Sequence, residues 1–190
     1  MTHPILLKTM TIAEMRERVR RIKDGFQPEV LRCMDANKHE MVISVREQLY
    51  SGIDGNGAYL SPDYSTDPFF QNPRAGYYDS DAEMFVPCYR HPERYIAWKE
   101  RITPPRASER LELPARPTGV PNLFIVGTFH TSITARATGN GVTIFTDGWD
   151  EGPAVEAKYG SQIFALSPQA VAHFNREFLW SWLFRWRDSL

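Results

Sequence analysis

The chain has 190 residues, 42% hydrophobic, 13% aromatic and 24% charged, which suits one ordinary globular domain able to bury a core without disulfide or metal. Its 22 Lys+Arg balance 23 Asp+Glu, so the basic excess or stripe of a nucleic-acid binder is missing and no sequence-specific nucleic-acid contact is expected. No apolar run approaches the roughly 20 residues of a membrane helix, and Ile5-Leu6-Leu7 is too short for a signal core, so a soluble protein made in a cytoplasm is expected.

In chain order, Thr11-Ile12-Ala13-Glu14 fits a capping box. Ile12, Met15, Val19 and Ile22 follow at helical spacing, and Gly25 reads as the end of that first helix. Pro28 reads as the start of a second, short helix reaching about Asn37. The β-branched run Met41–Val45 reads as a strand, with a helix continuing to Tyr50 as the competitor. Asp54-Gly55-Asn56-Gly57 is turn chemistry. Residues 58–92 form an excursion whose prolines oppose regular ladders while its aromatics predict that it packs down. A short helix is expected over 93–99. Residues 103–121, rich in Pro and Arg, read as an exposed linker or arm.

The β-hairpin at 131–146 is the clearest element. Ile133, Ala135 and Ala137 share a face with Val142 and Ile144, and Gly139-Asn140-Gly141 offers positive-φ residues for the turn. Residues 154–160 fit a helix or an extended segment. Ser167-Pro168 opens a final helix to about Arg187, with Val171, Phe174, Phe178 and Trp182 as its buried stripe and Trp180 and Phe184 on a second apolar face. The fold class expected is therefore α+β in a single domain: N-terminal helices, a small antiparallel sheet around the hairpin, and a C-terminal helix packed on it.

Candidate chemistry is sparse. Asp54–Gly57 resembles the opening of a calcium loop, but Tyr59 and Ser65 stand where that loop needs glycine and glutamate. His39-Glu40 has Ile43 in place of a zincin's second histidine. Cys88 and His91 are three apart without further ligands at a metal spacing, and Cys33 and Cys88 read as reduced thiols. His3, His130 and His173 are scattered. Asp79 and Asp81, or Asp147, Asp150 and Glu151, could serve a hydrolase but read as solvated loop carboxylates. Tyr59, Tyr64, Phe69, Phe70, Tyr77 and Tyr78 could form a binding platform. No catalytic residue, cofactor site or metal site is assigned, and a non-enzyme is expected.

One segment adds a function. Leu123-Phe124-Ile125-Val126-Gly127-Thr128-Phe129-His130-Thr131-Ser132-Ile133 resembles a signature of small phage tail-completion and virion-morphogenesis proteins, with Val126 where threonine is usual. The following strand–turn–strand and Lys158-Tyr159-Gly160 keep that family's order. Glu47–Gly57 and Tyr95-Ile96-Ala97-Trp98-Lys99 are similar to structural proteins of phages and prophages of Bacteroidetes.

The resemblance implies a virion structural protein of the head–tail neck, a homo-oligomeric ring or connector contacting other neck or tail proteins. On that reading Trp180, Phe184, Trp186, Tyr64, Phe69, Phe70 and Tyr78 are the interface candidates. A partner-binding module using the aromatic loop, or a metal-dependent hydrolase built on residues 54–91, is the alternative.

Overall fold

The computed structural model describes residues 10–190; Ile5–Leu7 and His3 lie outside the described residues. The fold is α+β, with two long N-terminal helices, two separate two-stranded antiparallel sheets and a long C-terminal helix.

Helix α1 (Ile12–Ala36) begins on the capping box, with Thr11 accepting from the Glu14 amide and Glu14 accepting from the Thr11 amide. It does not stop at Gly25 or restart at Pro28 but runs through both for 25 residues. Tertiary packing overrides the two local breakers. A Cβ at position 25 would sit 2.6 Å from the Trp186 ring, so glycine is there for close helix contact. One turn on, the buried Glu29 carboxylate accepts from Trp182 Nε1 at 3.1 Å, tying α1 to the C-terminal helix.

Helix α2 (Lys38–Tyr50) replaces the strand expected at Met41–Val45. Its apolar residues are buried on several sides, so Met41, Val42, Val45 and Leu49 give no amphipathic period to read. Gln48, fully buried, holds the chain end of the helix in place by donating to the Ala165 carbonyl at 2.7 Å and accepting from the Ser167 amide at 2.8 Å.

The 58–92 excursion is packed, as its aromatics predicted, and contains a second hairpin, β1 (Gly76–Asp79) with β2 (Met84–Pro87). Helix α3 (Pro92–Ile102) follows, then residues 103–121, which are not the free arm expected: Pro104, Arg106, Pro114 and Pro117 are exposed, but Thr103, Ser108, Leu111, Leu113, Arg116 and Pro121 are buried and anchor the segment. Arg116 explains how a Pro/Arg-rich stretch can be anchored. Its guanidinium donates to the Val120 carbonyl at 2.6 Å, the Thr103 carbonyl at 3.0 Å and Glu100 at 3.2 Å.

A short helix α4 (Thr128–Ser132) leads into β3 (Ile133–Thr138) and β4 (Gly141–Thr146). The register pairs Ile133 with Thr146, Ala135 with Ile144 and Ala137 with Val142, which puts the expected residues on one face. The turn differs in detail: among its three residues only Gly141 has positive φ. Helix α5 (Gly152–Tyr159) settles the 154–160 ambiguity and ends at Gly160.

Ser167 caps the final helix, accepting from the Ala170 amide at 3.2 Å. That helix comprises α6 (Pro168–Phe174), a π turn (Asn175–Leu179) and α7 (Trp180–Asp188). The wider turn shifts the buried face by one residue, so Leu183 rather than Trp182 is buried in α7. At the other end Ala170, His173 and Phe174 are buried, and Val171 is exposed. The helix packs on α1 and α2. Phe174 centres a cluster with Cys33 and Met41 that extends to Val142 and Ile144 of β4. The main core lies between α2, β3 and α5, around Val45, Leu49, Phe129, Ile133 and Ile163.

Candidate functional site

Two features stand out: uncovered apolar side chains on two helices, and a cavity. Trp180 and Phe184 lie one turn apart on α7, 50% and 52% exposed, with their rings stacked at 6.4 Å. On α1 the residues at helical spacing in the sequence largely face solvent: Ile12 is 73% exposed, Met15 and Val19 are exposed with it, Ile22 is half-buried, and Phe26 beyond them is exposed. Trp186, an expected interface residue, packs within the chain against Gly25.

The cavity has a volume of about 850 Å³. One wall is the β1–β2 hairpin with Tyr77 and Tyr78; a second is α3 with Tyr95, Trp98 and Lys99. The strand-entry loop contributes Phe124, Ile125 and Val126, and the region around α5 contributes Trp149, Lys158 and Tyr159. Four of the expected interface residues border this cavity, but in different states. Tyr64 and Phe70 are buried in the chain's own cluster with Ala75 and Cys88, because the 3₁₀ turn after Asp67 folds them under the hairpin. Phe69 and Tyr78 remain exposed at the rim. Tyr59 is exposed at the separate Asp54 turn.

The aromatic side chains of the lining pack against one another. Tyr77 stacks on Trp98 at 4.3 Å, and Tyr95 meets the edges of Tyr64 and Tyr77 at 4.9 and 5.7 Å. Burial pushes the Tyr64 and Tyr159 hydroxyls well up and Tyr95 up to about 12, so all three are neutral hydrogen-bonding groups at physiological pH.

Lys99 is the group that sequence reasoning missed. It is 1% exposed, lines the cavity and donates from Nζ to the Phe124 carbonyl. Burial, with the Arg116 charge second, pulls its ammonium down to about 7, against the smaller opposing effect of Glu100. The available signal was position. Tyr95, Trp98 and Lys99 occupy i, i+3 and i+4 on α3, so the lysine shares the face of the two rings. Lys158 at the mouth is bonded to the buried Asp67 carboxylate.

Other candidate residues are occupied locally. Asp54 Oδ1 accepts from the Asn56 and Ala58 amides at 2.9 and 3.0 Å, which makes it a turn residue. Asp79 and Asp81 both bind Arg101. Cys88 is buried, whereas His91 is exposed and pairs with Glu93 at 2.8 Å. His130 is buried and donates from Nε2 to the Asn122 carbonyl at 2.9 Å; burial pulls its pKa down to about 4. Among the described residues no group of three or more His, Cys, Asp or Glu side chains is placed to hold a metal ion. No helix among them is long and apolar enough to cross a membrane.

No protein-family model, curated protein or solved structure matches this chain.

Proposed function

We propose that this chain is a structural component of a phage virion, of the head–tail neck or tail-completion type, assembling with copies of itself and with other neck or tail proteins. The observation that carries the reading is the pair of uncovered apolar helix faces, Ile12, Met15, Val19 and Phe26 on α1 and Trp180 with Phe184 on α7. Large aromatics exposed beside aliphatic side chains are characteristic of surfaces that another protein covers. The sequence resemblance through 123–133 and 158–160 supplies the kind of assembly. A heterologous contact repeated around a closing rotation generates a ring, and such a role needs shape and apolar area rather than reactive groups.

The first test is oligomeric state by light scattering, with and without Trp180→Glu/Phe184→Glu. The wild type is expected to be oligomeric and the double variant monomeric with unchanged circular dichroism. Because both side chains are half exposed, their loss leaves the fold intact. An assembly that survives the double change overturns the role of the α7 face. Quantitative mass spectrometry of purified particles is the second test. A fixed small copy number per particle supports the reading, and absence from clean particles with abundance in the lysate overturns it.

A further inference from the structure

The cavity between the β1–β2 hairpin, α3 and α5 has a composition that apolar packing alone does not explain. Lys99 is buried at its wall, and among the described residues no carboxylate lies within ion-pair distance of Nζ. Its bond to the Phe124 carbonyl uses one of three ammonium donors. The nearby acid, Glu100, is paired with Arg116; of the two carboxylates that line the cavity, Asp67 is paired with Lys158 and Glu151 is exposed to solvent. A second donor lacks an acceptor among the described residues: Trp98, which also lines the cavity, is 7% exposed and its Nε1 is buried. Buried charges are ordinarily paired and buried donors ordinarily bonded, so two such groups on consecutive residues of α3, both lining the cavity, point to an acceptor that arrives from outside.

The rest of the lining states what that acceptor is attached to. Tyr77 and Trp98 stack on one another and both line the cavity, while Phe124 and Tyr159 add further aromatic surface. Ligand sites are typically clefts of about 300–1,000 Å³, mostly apolar, with a few polar groups that fix orientation, and this cavity lies within that range. We propose that the cavity binds an organic acid with a flat apolar body, its carboxylate held by Lys99 and its rings held against Tyr77, Trp98 and Phe124. The site is distinct from the α1 and α7 faces, so it stands or falls independently of assembly.

The probe is 2-naphthoate, titrated calorimetrically into the full chain at pH 7, with the neutral 2-naphthalenemethanol as its control. The expected result is saturable binding at one site per chain, with the acid at least about tenfold tighter than the alcohol, as a charge-assisted hydrogen bond supplies. In Lys99→Met, which keeps most of the stem volume, the two compounds should bind alike. The wild type also carries its own readout. In ¹⁵N-labelled protein the Trp98 indole resonance, assigned with Trp98→Phe, should shift on saturation with naphthoate, which tests the site even if Lys99→Met does not fold. Absence of saturable binding, equal affinity for acid and alcohol in the wild type, a preference that survives in Lys99→Met, or a Trp98 resonance that does not move would each overturn the proposal. Loss of oligomers in the α7 double variant with naphthoate binding intact would separate this site from the assembly surface.

Discussion

A buried lysine without a carboxylate is costly when charged, and the cost appears as pH dependence. Lys99 is held at about 7 in the folded chain against 10.5 when solvated, so between those values the unfolded state binds the additional proton. Stability therefore rises as pH increases from 7 to 10.5 and is flat, for this group, on either side. A displacement of that size corresponds to an upper bound of about 5 kcal/mol, at about 1.4 kcal/mol per pH unit. The groups facing it are Arg116, which enhances the effect, and Glu100, which opposes it. Urea unfolding across pH 7–10 should show this rise in the wild type and lose most of it in Lys99→Met. Because an apolar side chain of similar volume replaces an unpaired buried charge, that variant should also be at least as stable as the wild type at pH 7. A slope unchanged by Lys99→Met would mean that the lysine is solvated. His130 acts in the same direction at lower pH. Its folded pKa of about 4 lies below the ordinary 6.5, so its contribution is lost as pH falls from 6.5 to 4.

At the scale of the element, helix α1 shows how a local rule gives way to packing. Gly25 costs a helix interior about 1 kcal/mol relative to alanine, yet a Cβ there would meet the Trp186 ring at 2.6 Å. In a Trp186→Ala background, Gly25→Ala should therefore stabilise by about 1 kcal/mol. With Trp186 present the gain should vanish or reverse, and a double-mutant cycle by urea unfolding reads the difference. Equal effects in both backgrounds would show that the ring moves aside without cost.

The same contest explains what the sequence made legible. The Thr11 cap, the Ser167-Pro168 start and the hairpin, whose first strand begins at Ile133 rather than Thr131, rest on contacts within a few residues, and each stands in the fold. Gly25, Pro28, the α2 strand reading and the arm at 103–121 depend on partners far away in the chain: Trp186, the several neighbours of Met41–Leu49, and Glu47 for Ser108 and Arg110. The α1 stripe is periodic whether a core or another protein covers it, so spacing alone could not place it. Of the site, the sequence marked the aromatic residues at the rim, while Lys99 required knowing that α3 turns its ring-bearing face inward.

At the scale of the whole molecule, residues 103–122 determine whether the chain behaves as one body. Arg110 donates to Glu47 Oε2 at 2.7 Å and Ser44 Oγ at 3.3 Å on α2, and approaches His173 Nε2 on α6 at 3.2 Å. Arg116 bonds Glu100 on α3, and the Asn122 carbonyl accepts from His130 on α4. Leu111 and Leu113 fill the space between Ile53 and Ala170. The segment thus ties α2, α4 and α6, which already share apolar clusters, to α3, whose Tyr95 and Ile96 pack in a separate one. Leu111→Ala, at a fully buried position, should cost about 2–5 kcal/mol. The informative feature is the form of the loss. If the segment couples the clusters, near-ultraviolet circular dichroism and tryptophan fluorescence will report one coincident transition, shifted as a whole to lower denaturant. A loose arm would instead leave the midpoint within about 0.5 kcal/mol of the wild type. A variant that unfolds in two steps, with segment 103–122 cut by protease before the fluorescence changes, would show that the clusters stand independently and that the segment merely rests on them.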